Sequence, residues 1–362
     1  MIKYFLFFAI ILCSISVLMC VSIVTPPSNF EQINAGTIET PFLISSLSNL
    51  KWLSETQDVW GCDEIKYHFI LTNNIDATET KYWNNGHGFK PIGIGRINTT
   101  YNEWTQIPFM GYFNGNNYTI SNIFINQPKE ENIYKVSAFF GTIRESHIVN
   151  LNLEDIVVFP DYINAGLVAM VYNSSIRNTS VSGTVHGNDS TLFIGGFAGL
   201  VRDSSLFSIY SKVSIIGDDN FNMGGSGGIA AALVDSTLHN SFFHGNKTRN
   251  AVSMGGLIAS SRNSTIKFSY VASGSKLPEM AAIVSMIDEN SVIDNCFWDR
   301  QVTGLNNAFT ILPKLFDITP RASGLNTSQM KILSTFSEDG WDFSDIWDID
   351  PNINKGYPFL RR

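Results

Sequence analysis

Two short phrases carry residue types that glycosidic bond hydrolysis could use. One is Gly86-His87-Gly88, and the other is the doubled carboxylate Asp218-Asp219. An inverting hydrolase needs two carboxyl groups facing each other across the scissile bond, one donating a proton and one activating water. Here the doubled aspartate lies in a Gly-Asp-Asp-Asn turn, where Asp is favoured for local hydrogen bonding. It follows the histidine by about 130 residues, with no further acid to complete the set. Both phrases therefore read as loop residues. Metal chemistry is equally sparse. The remaining histidines, His68, His147, His186, His239 and His244, form no His-Glu-x-x-His. His239 and His244 stand five apart without a neighbouring carboxylate. The acids Asp339, Asp342, Asp345, Asp348 and Asp350 alternate with Trp341 and Trp347. They lack the Asp-x-Asp-x-Asp/Asn-Gly order of a calcium loop. Gly224–Gly228 lacks the lysine and the strand-to-helix setting of a phosphate cradle. No catalytic, cofactor-binding or metal-binding residue is assigned.

The elements around these residues are repetitive. Apolar anchors recur at Ile120, Ile148, Ile176, Leu206, Leu238, Ile266 and Val292, at spacings of 28, 28, 30, 32, 28 and 26 residues. Each follows a Gly-led or Ala-led apolar phrase such as 195–201 or 255–261, a polar turn with Ser or Asn, and an alternating strand. A period in this range marks a solenoid, propeller or array. The unit carries no helical spacing, which excludes leucine-rich, ankyrin and tetratricopeptide arrays, and it is short for a propeller blade. One turn of a parallel β-helix fits, with the anchors stacking along one inner wall. Asn150, Asn178 and Asn240 are expected to form a corner ladder, and the Gly pairs 195–196, 227–228 and 255–256 to sit where a side chain would clash.

The ends differ from the middle, as a solenoid requires. Leu47, Leu50, Trp52 and Leu53 have helical spacing behind Ser45 or Ser46, which predicts an N-terminal capping helix. Asn326 and Gln329 resemble a capping box opening a short helix. Trp341, Phe343 and Trp347 are expected to close the last coil as a lid. The chain thus divides into a leader (1–25), an N-terminal cap (26–65), a right-handed parallel β-helix of about 28-residue coils (66–300) and a short helical and aromatic C-terminal cap (301–362).

The N-terminus points outside the cell. Lys3 precedes an apolar run from Tyr4 to Val24, which reads as a signal peptide or a single membrane anchor. Charged residues make up only 15% of the 362, the net charge is −8, and no basic face for nucleic acid is visible. Cys13 and Cys20 lie in the leader. Cys62 and Cys296 are too far apart in an elongated fold to bridge. Asn-x-Ser/Thr acceptors occur at Asn98, Asn117, Asn173, Asn178, Asn188, Asn246, Asn263 and Asn326.

Three stretches resemble the GLUG-repeat family of secreted or surface β-helices. The entry 36–94 is similar to that family's opening. "GYFNGNNYTISNIFI" is similar to its "GTFDGNGHTISNLTI" hinge. "NCFWDRQVTG", "GLNTSQMK" and "GWDFSDIWDI…GYPFLR" resemble its closing segment. The resemblance implies an exported, adhesin-like protein with no common enzymatic activity. The expected partner is a glycan or a protein on a host or neighbouring cell surface, plus the membrane if the leader is retained. A polysaccharide lyase or hydrolase on the same scaffold is the alternative, resting on fold analogy alone.

Overall fold

A computed structural model describes residues 24–98, 100–101, 103–217, 224–248, 253–274, 280–311 and 321–361. The leader and Asp218-Asp219 lie outside the described residues. Parallel strands stack into a β-solenoid of about nine turns. Each turn contributes to three walls. One is a seven-stranded sheet that includes Phe140–Arg144, Val168–Tyr172, Ala198–Arg202 and Ala230–Val234. A large sheet of 18 strands wraps around two sides, and its longest strands are Ser175–Gly187 and Ser205–Gly217.

Strand pairing fixes which residues stack. One inner column runs Phe42, Phe69, Phe113, Ile148, Ile176, Leu206, Leu238, Ile266, Ile293, and all nine are buried. Five of the seven anchors read from the sequence stand in this column; two do not. Ile120 is buried but belongs to the adjacent wall, between Ile75 and Leu153, because Phe113 fills the first-wall position of its turn. Val292 is half-buried and pairs with Thr265, while Ile293 turns inward. In a strand a shift of one residue changes the face. Ile176→Ala removes a fully buried side chain from the middle of the column. Chemical denaturation should show a loss of about 2–5 kcal/mol; an unchanged midpoint would mean that the coil collapses around the gap.

The corners explain the recurrent Ser and Asn. Asn150, Asn178, Ser208, Asn240, Phe268 and Asn295, each two residues after a column member, all adopt left-handed backbone with φ of 49–54°. Asn tolerates this region better than most residues. Asn178 Nδ2 donates to Asn150 Oδ1 at 3.2 Å, and Asn150 Nδ2 to Asn114 Oδ1 at 3.3 Å. The expected Asn ladder therefore stacks up to Asn178. Ser208 interrupts it, and Asn240 turns instead to Trp347, whose Nε1 donates to its Oδ1 at 3.2 Å. A second corner is a serine ladder. The backbone N–H groups of Ser146, Ser174, Ser204, Ser236 and Ser264 each donate to the hydroxyl of the next coil's serine at 3.0–3.2 Å. The hydroxyls of Ser146, Ser174, Ser204, Ser236 and Ser264 donate to the carbonyl two residues upstream, and that of Ser291 to Asp288 Oδ1. Each hydroxyl is donor and acceptor at once, so a buried turn is left with no unpaired N–H. At Gly195, Gly227 and Gly255 an added Cβ would come within 1.6–1.7 Å of a carbonyl oxygen three residues on, so the corner closes only around glycine.

The first helix spans Leu47–Glu55, with Ser46 Oγ accepting from Asn49 N at 3.3 Å and Leu50, Trp52 and Leu53 buried. Parallel pairing begins before it, at Phe42–Ile44, and continues to Ala322–Leu325, beyond the 66–300 span of the visible repeat at both ends. An antiparallel hairpin, Ile94–Asn98 with Glu103–Ile107, interrupts the solenoid, and Ile133–Ser137 pairs antiparallel to its first strand. The helix read around Gln329 is split into Gln329–Lys331 and Leu333–Ser337; Gln329 Oε1 accepts from Asn326 N at 3.0 Å.

The C-terminal segment does not lie across the last coil. Outward-facing Tyr210, Phe242, Tyr270 and Phe297 pair rung on rung along the second wall. Met330, Phe336, Trp341, Trp347, Tyr357 and Leu360 pack on this aromatic ladder to form a separate buried cluster. The tail is a buttress on the flank, because that is where the outward aromatic rings are.

Candidate functional site

The residues first considered for chemistry are not brought together. His87 follows a 3₁₀ segment in a turn held by left-handed Asn84 and Asn85, and its Nδ1 lies 3.0 Å from the Asn126 carbonyl. His239 and His244 fall on different walls, because the left-handed corner at Asn240 lies between them. His239 sits in an outer column between Phe207 and Lys267. His244 lies edge-on to Tyr270 and Tyr357 beneath the tail. The tail acids serve turns and ion pairs. Asp342 Oδ1 accepts from Ser344 N and Asp345 N, and Asp348 pairs with Arg361 at 3.2 Å. Trp341 and Trp347 are buried. Among the described residues, no three His, Cys, Asp or Glu side chains are grouped to hold a metal ion.

Two carboxylates are well covered, and both are committed to the backbone. Asp161 accepts from Lys135 N and Tyr162 N; burial raises its pKa against the pull of these bonds and of Lys135. Asp299 caps the helix Arg300–Thr303 through Oδ1 and accepts the Tyr357 hydroxyl on Oδ2 at 2.7 Å. Cys62 is exposed and Cys296 buried, both as free thiols. Burial pushes the Cys296 thiol up to about 12, so it is a packing residue rather than a nucleophile.

The surface offers two features that could recognise a ligand. The first is the outer face of the first wall, where pairing aligns His68, Tyr112, His147, Ser175, Ser205, Thr237 and Thr265 in one column. The His68, Tyr112 and His147 rings stack at 4.2 and 4.7 Å, and His147 Nδ1 meets Ser175 Oγ at 2.6 Å. Desolvation lowers the pKa of both histidines, which favours neutral rings in the stack. A parallel column carries Arg177, Phe207, His239, Lys267 and Asp294, with Arg177 over the Phe207 ring and Lys267 3.5 Å from Asp294.

The second feature is a cleft of about 300 Å³ between the end of the first helix and the hairpin. Trp60, Pro91, Ile94 and Val136 give it an apolar base; Gln57, Gln127, Lys90, Lys135, Arg96 and Glu55 ring it. Trp60 is locked by its Nε1 bond to the Leu53 carbonyl at 2.7 Å. Gln127 is fixed by Nε2 bonds to Val136 O and Ser137 Oγ. Lys90 reaches Glu55 at 3.4 Å. Lys135 reaches Glu130 and the Pro128 carbonyl, each at 2.6 Å. Gly93, at φ +81°, lets the hairpin approach the Thr142 carbonyl, where a Cβ would stand 2.1 Å away. The sequence reading missed this cleft.

The glycosylation acceptors are mostly accessible: Asn117, Asn173, Asn178, Asn246, Asn263 and Asn326 are exposed, Asn98 and Asn188 half-buried. Asn178 and Asn263 use Nδ2 to bond Asn150 and Asp235, so a glycan there would compete with a ladder bond. No helix among the described residues is long and apolar enough to cross a membrane.

No family model matches the chain. It is 32% identical over 175 residues to halomucin of Haloquadratum walsbyi, covering 48% of this chain and 2% of that protein. It is 27% identical over 123 residues to a "Putative Gly-rich membrane protein" of Evansella cellulosilytica, covering 32% of this chain and 13% of that one. The chain therefore spans a small part of the curated relatives it matches. Among solved structures it resembles a "putative immunoglobulin A1 protease" from Bacteroides ovatus, with a TM-score of 0.64 at 17% identity over 90% of this chain and 94% of that one. At that identity the likeness shows the fold alone.

Proposed function

We propose that this chain is an exported, non-enzymatic β-helix protein of GLUG-repeat type, acting at the cell surface or secreted, and binding glycans or proteins. The observation that supports this most is the outer face of the first wall. Its hydroxyl, imidazole and phenol groups repeat at the spacing between parallel strands, about 4.8 Å, and extend along most of the stack. Such a surface contacts an extended partner at many weak points. The names of the matched relatives, halomucin and a membrane protein, accord with an extracellular place, and the apolar leader supplies a route there. The covered carboxylates argue against the hydrolase alternative, since Asp161 and Asp299 each hold local backbone in place.

The test has two arms on the full chain. Cells producing it should be stained by an antibody that cannot enter them, or should release it into the medium. The purified chain should bind a subset of an array of surface glycans and proteins without degrading them. A cytosolic chain, or time-dependent cleavage of an arrayed glycan, would overturn the reading.

A further inference from the structure

We infer that the cleft between the first helix and the hairpin binds a carboxylate-bearing sugar ring, with Arg96 receiving the carboxylate; this rests on the reading of the protein as a glycan binder. The argument begins with an unbalanced charge. Arg96 stands directly opposite Lys135 in the antiparallel pairing and opposite Thr105 on its other side. Like charges at directly opposed positions repel. Lys135 is buried, and Glu130 and the Pro128 carbonyl satisfy its ammonium. Lys90 has Glu55. Arg96 is exposed and has no carboxylate within ion-pair distance among the described residues. A chain with net charge −8 thus places three cations around one cleft and leaves one of them to be met from outside.

The shape narrows the class of anion. A guanidinium matches a carboxylate through two parallel N–H···O bonds. A volume of about 300 Å³ is at the small end of ligand sites and suits one ring rather than a chain. Half-buried Ile94, backed by the buried Trp60, Pro91 and Val136, offers a small apolar base for the C–H face of a pyranose. Gln57 beside them can bond hydroxyls. A free phosphate would gain from Arg96 but nothing from this base, and a neutral sugar would gain from the base but leave Arg96 unmet.

The experiment compares glucuronate with glucose by ligand-observed NMR on the full chain in mild detergent. Glucuronate should bind in the millimolar range or tighter and glucose about tenfold more weakly, in keeping with a charge-assisted contact. Arg96→Ala should abolish the difference, while Arg96→Lys should keep part of it. Thr105→Glu places a carboxylate opposite Arg96 and should also remove glucuronate binding. Both positions face solvent at least in part, so thermal melting should stay as in the parent. Equal binding of the two sugars, no binding of glucuronate, or full binding by Arg96→Ala at an unchanged melting temperature would overturn the assignment. Neutral glycans retained on the array would then leave the broader reading standing; an array blank for every glycan and protein would overturn that reading too.

Discussion

Deleting residues 326–362 should leave a chain that still shows strand-rich circular dichroism but self-associates and melts at a lower temperature. The tail covers the outer rings of Phe242, Tyr270 and Phe297, with Phe242 and Tyr270 stacked at 5.1 Å. Removing it exposes that ladder as one continuous apolar strip, the kind of patch that drives association. It also strips partners from buried polar atoms. The Tyr270 hydroxyl loses the Pro358 carbonyl at 2.6 Å, Asn240 loses Trp347 Nε1, and Asp299 loses the Tyr357 hydroxyl. The single change Trp347→Ala should cost about 3–5 kcal/mol by emptying a fully buried site. The position of the tail decides the geometry of association. A lid over the last coil would predict end-to-end joining of solenoids, whereas a flank buttress predicts side-to-side pairing. Crosslinks from Lys212, at the edge of the ladder, would report the second arrangement. A truncated chain that stays monomeric and as heat-stable as the full one would show that the tail is dispensable packing.

The repeat was legible because stacking imposes one inward apolar residue per turn. Ile148, Ile176, Leu206, Leu238 and Ile266 keep that rule without interruption. It failed at the two ends for a physical reason. The turn containing Phe113 puts Ile120 on the next wall, and the turn ending at Ile293 is one residue out of step with the anchor read at Val292. The aromatic ladder was present in the sequence as well. Tyr210, Phe242, Tyr270 and Phe297 each lie four residues after a column member. Their outward direction becomes readable only once the left-handed corner between the walls is known, since it resets the alternation. The serine ladder follows the same logic. The cleft had no such signal, because it arises between two non-repeating insertions, the helix near Trp52 and the hairpin near Arg96. Neither has a counterpart one period away, and their contact depends on the coils that hold them side by side.

Stability should rise with pH from about 7 to about 9, below the range in which buried Cys296, Tyr270 and Tyr357, whose pKa values burial raises, act in the opposite direction, and Lys247→Met should flatten that rise. Lys247 continues an inner column below Val185 and Ile215, where every other turn places an aliphatic side chain. Its Nζ donates to the Ser226 and Gly255 carbonyls at 3.0 and 2.6 Å and lies over the Phe243 ring. Burial lowers its pKa from 10.5 to about 7. Above 10.5 the amine is neutral in both the folded and unfolded chain, and burial carries no charge penalty. Between 10.5 and about 7 only the unfolded chain takes up the proton, so stability falls as pH falls. At and below about 7 the full penalty applies, on the order of 5 kcal/mol at 1.36 kcal/mol per unit. His244 acts in the same direction at lower pH. Burial, followed by Lys212 and Lys355, depresses it from 6.5 to about 3. Its Nε2 is shut off from solvent although the residue as a whole is half-buried. The stability it preserves is fully present above 6.5 and is lost as pH falls towards 3. Urea midpoints measured from pH 3 to 9 should therefore show two slopes. Lys247→Met should remove the alkaline one and leave the acid one, and its largest gain over the parent should appear at pH 7 and below. A parent whose midpoint is flat from pH 7 to 9, or a variant that keeps the slope, would mean that the amine stays charged in the fold, held by the two carbonyls and the ring face.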